Sequence, residues 1–61
     1  MKIFRTYKNN RAIELIMAIC NSEKLDVSVK YETNAIGDDM IIVKGDREEV
    51  ETLEQIFNMV F

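Results

Sequence analysis

The amino-acid sequence predicts an α+β fold with elements in the order β-α-β-β-α. The three strands form an antiparallel sheet of order 1-3-2, and the two helices share one face. Three features carry this expectation. Residues 25–33 alternate apolar and polar side chains without a break, as a half-buried strand does. Met40, Ile41, Ile42 and Val43 are apolar at consecutive positions, which suits a central strand. Two further segments, from Ala12 and from Val50, repeat apolar residues at helical spacing.

The elements follow in chain order. Lys2 to Tyr7 mixes β-branched and aromatic residues with charges and reads as a short strand. Asn9-Asn10 offers side-chain acceptors to the free N–H groups of a helix start, and that helix should run to about Ser22. In the second strand, Leu25, Val27, Val29 and Tyr31 share one face; Asp26, Ser28, Lys30 and Glu32 share the other. Asn34-Ala35-Ile36-Gly37-Asp38-Asp39 has the composition of a hairpin turn. The third strand, Met40–Lys44, ends at Gly45. Asp46 with Glu49 three residues later predicts a capping box for the second helix, which continues close to Phe61.

A right-handed crossover through the first helix makes the first two strands parallel, with the third inserted between them and antiparallel to both. This order resembles the first five elements of a ferredoxin-like split βαβ fold. The resemblance implies a place beside strand one where that fold's last strand would lie. Lys2, Ile3, Phe4, Arg5, Thr6 and Tyr7 are therefore expected to form an open edge, a template for a strand of another chain.

Sixty-one residues allow a single small α+β domain over positions 1–61. A chain of this size buries only about 60% of its unfolded surface and is marginal by itself. One cysteine forms no internal disulfide, and the absence of histidine removes the Cys/His type of zinc site. Association, as a homodimer or with a larger protein, becomes the leading expectation. The composition, 48% hydrophobic and 31% charged, suits neither a disordered tail nor a membrane span. Met1-Lys2-Ile3-Phe4-Arg5 meets a charged residue too soon for a secretory leader, and the unpaired Cys20 suits a reduced cytoplasmic setting in a bacterial or infected host cell. The richness in Ile, Lys, Asn and Glu is a bias of AT-rich bacteria and their phages.

The helix faces suggest where association occurs. At roughly 100° per residue, the apolar residues of helix one, Ala12 to Cys20, spread over about 200°, wider than the stripe one sheet requires. Leu15, Met17 and Ile19 are the candidate contact residues of that surplus. Helix two has a narrower stripe of Val50, Leu53, Ile56, Phe57, Val60 and Phe61, while Met59 projects with the polar group. The chain's terminal Phe61 is expected to dock into the core or a partner. Whichever register strand one takes, the sheet face away from the helices should carry apolar residues rimmed by charge.

No chemistry-bearing constellation stands out. Cys20 lies on the apolar arc without a histidine to activate it, so it reads as an inert core thiol. Asp38-Asp39 reads as turn chemistry, and Glu48-Glu49 as acids complementing a helix start. Gly37 and Gly45 belong to no phosphate-binding loop. Neither catalytic residues nor metal ligands nor a cofactor are expected.

The expected function is thus a non-catalytic protein-binding module, a homodimer or complex subunit. A small phage- or bacterium-encoded inhibitor or adaptor that occludes a larger host or defence protein would have this character. The alternative is a nucleic-acid binder using the basic and aromatic Lys2, Arg5, Tyr7, Lys8 and Arg11, against which the net charge of −3 argues. A third reading follows from element order alone, which resembles small-ligand regulatory domains of the ACT kind.

Overall fold

In the computed structural model, which describes residues 1–61, strand β1 (Lys2–Tyr7) leads into helix α1 (Asn10–Ser22). Strands β2 (Ser28–Thr33) and β3 (Asp39–Gly45) form a hairpin, and helix α2 (Arg47–Val60) closes the chain. The sheet order is β1-β3-β2, with β3 antiparallel to both neighbours, as expected from the crossover rule.

Local chemistry accounts for the boundaries. Asn9 caps α1 by accepting the N–H of Ala12 at its side-chain Oδ1, 2.8 Å away. At the other end, Lys24 adopts a left-handed backbone (φ 53°), and Leu25 donates its N–H to the Cys20 carbonyl. That turn consumes residues the alternation assigned to a strand, so β2 begins at Ser28 instead of Leu25. The hairpin is held by Asn34, whose Oδ1 accepts from the N–H groups of Ile36 and Asp38, and Gly37 supplies the positive φ of 91°. The capping box at α2 does not form. Asp46 makes no side-chain cap bond, and Glu49 turns away to accept the Asp26 N–H at 3.3 Å.

The register Ile3↔Lys44, Arg5↔Ile42 and Tyr7↔Met40 fixes the faces of β1. Phe4 points to the helices, where its ring meets Phe57 edge-on at a centroid distance of 5.4 Å. The core is small: Ala12, Ile16 and Ile19 of α1 meet Ile41 and Val43 of β3 and Leu53 and Phe57 of α2. Ile19 is 4% exposed, so it belongs to this core and not to a contact surface. It lies inside the apolar arc of α1; only Leu15 and Met17 stand at its margins.

Helix α2 rests on β1 and β3, and α1 leans on α2. The arrangement leaves β2 at the periphery, with all six of its residues exposed. Phe61 stacks on Phe57 at 4.7 Å with the rings 12° from parallel, so the terminal aromatic docks while staying half exposed. No helix is long and apolar enough to cross a membrane.

Candidate functional site

The two margins of the wide α1 arc meet different fates. Leu15 is half-buried and packs against the core. On the opposite margin, α1 stands off from β2 and leaves an open groove of about 290 Å³. Ile13, Met17 and Cys20 form its helical wall, Val29 and Tyr31 its strand wall, and Ile16 and Ile41 its floor. Eight of its nine lining residues are hydrophobic, which makes it an apolar trough. Met17 is 58% exposed, Tyr31 51% and Val29 38%, large fractions for side chains that face the same layer as the core.

The groove borders an unpaired strand edge. Asn34 donates to the Asp38 carbonyl at 2.9 Å, which makes Asn34–Asp38 a hydrogen-bonded pair of the β2–β3 ladder. By the alternation of antiparallel pairing, Ser28, Lys30 and Glu32 also bond inward to β3. The N–H and C=O groups of Val29, Tyr31 and Thr33 therefore point outward. The residues whose backbone is unpaired are the ones whose side chains line or adjoin the apolar groove.

The other edge has the same backbone logic and different surroundings. Lys8 donates to the Asp39 carbonyl at 2.9 Å, so Ile3, Arg5 and Tyr7 direct their backbone groups outward from β1. Strand one is thus an open edge, as expected, but α2 covers its inner face with charge. Lys2 lies 3.5 Å from both Glu51 and Glu54. The Arg47 guanidinium, which donates to Glu51 at 3.0 Å, and the nearby Lys2 together hold the Glu51 carboxyl below its ordinary range.

The basic and aromatic residues near the N-terminus do not share one surface. Lys2 faces the helices and is ion-paired, while Lys8 sits over the Tyr31 ring at 4.9 Å and Arg11 over the Phe61 ring at 5.1 Å. Arg5 and Tyr7 lie on the open sheet face, where the register instead groups Arg5 with Lys30 and Lys44. Ile42, the centre of that face, is only 7% exposed although no element covers it. Its lateral partners in the register are Arg5 and Lys30, and it lines a shallow concavity with Arg5, Glu32, Asn34 and Met40.

The remaining candidates serve local structure. Asp39 accepts the Thr33 hydroxyl at 2.9 Å, and burial pushes the Cys20 thiol up from its ordinary pKa. No group of three or more His, Cys, Asp or Glu residues is placed to hold a metal ion.

The α1–β2 groove is the feature the sequence reading missed. Its signal is the clean alternation of Val27, Val29 and Tyr31, an apolar face that the helices cover only in part. Comparison with known proteins finds no family model, no curated relative and no solved structure that matches the chain.

Proposed function

We propose that this chain is a non-catalytic protein-binding module that takes an extended strand of another polypeptide along β2. The observation that carries the reading is the coincidence of two unsatisfied surfaces. The outward backbone groups of Val29, Tyr31 and Thr33 offer main-chain hydrogen bonds, and the adjacent groove offers apolar burial. Strand addition requires both, the first for affinity and the second for choice of side chains. A domain with nine buried residues has little core to spare, so covering Val29, Tyr31 and Met17 would add to its stability as well. In a complex with a larger protein, the module would act by occluding or bridging its partner. A cytoplasmic setting fits the free thiol at the groove wall.

A photo-crosslinking residue at Met17, in the groove, tests this against the same residue at Gln55, on the wet side of α2. The expected result is a discrete protein adduct from position 17 only, lost when Val29→Asp places a charge in the strand wall. Equal labelling from both positions, or none from position 17, would overturn it.

A further inference from the structure

We propose that the strand received by β2 is the β2 strand of a second copy, paired about a two-fold axis at Tyr31. The inference rests on the reading of β2 as the receiving edge and adds both the partner and its register.

In a two-fold antiparallel pair, residues oppose one another when their numbers have a constant sum. The outward-pointing residues are odd-numbered, so only registers that pair odd with odd connect the free backbone groups of both strands. A slip of one residue would match outward groups with inward ones and exchange the faces. Among the allowed registers, centring on Tyr31 places Tyr31 against the partner's Tyr31 and Val29 against the partner's Thr33. Lys30 then opposes the partner's Glu32, and Glu32 opposes the partner's Lys30. Both are wide pairs, in which the side chains come closest.

The neighbouring registers are electrostatically opposed. A two-residue slip in one direction sets Lys30 on the partner's Lys30, and in the other direction Glu32 on the partner's Glu32. Like charges directly opposite destabilise a ladder, whereas opposite charges stabilise it. The Tyr31-centred register thus completes two ion pairs and brings the ends of the two apolar grooves together at Tyr31. Strand β1 has no such self-complementarity, because Lys2 and Arg5 are its only charged residues. In the dimer, six strands form one sheet with all four helices on the same face.

Sedimentation equilibrium of the wild type, Lys30→Glu, Glu32→Lys and the double exchange tests the pairing. Lys30 and Glu32 are exposed, so circular dichroism should show all four chains folded. The wild type is expected to dimerise, each single variant to associate about tenfold or more weakly, and the double exchange to recover. A register test accompanies it in a Cys20→Ser background. Tyr31→Cys should oxidise to a covalent dimer, since Cα atoms of a hydrogen-bonded pair lie about 5.5 Å apart, and Val29→Cys should not. A monomeric wild type, a double exchange no better than the single variants, or faster crosslinking at position 29 than at 31 would each overturn the inference. If the groove crosslinks a different protein while the chain stays monomeric, strand reception survives and self-pairing falls.

Discussion

Leu25 donates its backbone N–H to the carbonyl of Cys20 at 3.0 Å, closing the end of α1 across a single left-handed residue, Lys24. This six-to-one bond satisfies one of the orphan carbonyls of a helix terminus and brings Leu25 back onto the core. A residue with a Cβ is strained at φ 53°, and glycine is not. Lys24→Gly is therefore expected to stabilise the domain by about 0.5–1 kcal/mol, read as a higher urea midpoint with an unchanged slope. Destabilisation would show that the Lys24 side chain contributes more than its backbone costs.

Gly45 passes so close to Val27 that an added Cβ would stand 2.9 Å from Val27 Cγ1 and 3.4 Å from Val27 Cα. The contact seats the lead-in to β2 against the end of β3, and neither group is the free end of a flexible chain. Gly45→Ala should cost about 1–3 kcal/mol by overpacking, measured by thermal or denaturant unfolding. The companion Gly37→Ala meets no neighbour and is opposed only by its φ of 91°. Its cost should come from backbone strain alone.

Glu51 makes the acid limb of stability partly its own. Its folded-state carboxyl is held low by the Arg47 hydrogen bond and then by Lys2, so its contribution is complete above the ordinary carboxylate range. That contribution fades as pH falls through the lowered folded value. Glu51→Gln should be slightly less stable at neutral pH, with the difference closing in acid and shrinking in 1 M salt. A difference that persists below the carboxylate range would assign the effect to packing instead.

Cys20 reports on the groove. Its half-buried thiol, raised by desolvation, should alkylate with iodoacetamide several-fold more slowly at pH 7.5 than a free thiol. Occupation of the groove should slow it further, so the rate should fall as protein concentration rises if a second copy is the occupant. A rate equal to that of a small free thiol would contradict the burial.

The architecture was legible because each element carries its own period. The alternation at Val29–Tyr31, the apolar run at Ile41–Val43 and the Asn9 cap identify themselves without tertiary information. The helical wheel of α1 gave the width of the apolar arc but not which margin α2 would cover, which depends on where the second helix lands. Leu15 and Met17 therefore looked equivalent and turned out opposite. Strand β2 failed in a related way. Alternation assigns Tyr31 to the helix-facing layer, yet whether a helix lies over that position is decided by the tilt and spacing of the helix pair. The missing capping box is a competition the sequence does not display, since the Asp26 N–H lies distant in the chain and reaches Glu49 only after folding.

The sheet has two unpaired edges, and in the vocabulary of polymer chemistry this makes the chain bifunctional. A monomer with two reactive ends grows without limit unless one end is blocked. Pairing of β1 with a second β1 about Arg5 would set Arg5 on Arg5, with no carboxylate on either strand to relieve the pair. If β2 pairs with itself as proposed, a β2 edge carrying both signs and a β1 edge carrying one would favour a terminated oligomer over a ribbon. In that dimer Arg5 would act as a chain stopper, and an acidic residue introduced at position 3 or 7 is the change expected to open the β1 edge to fibre growth.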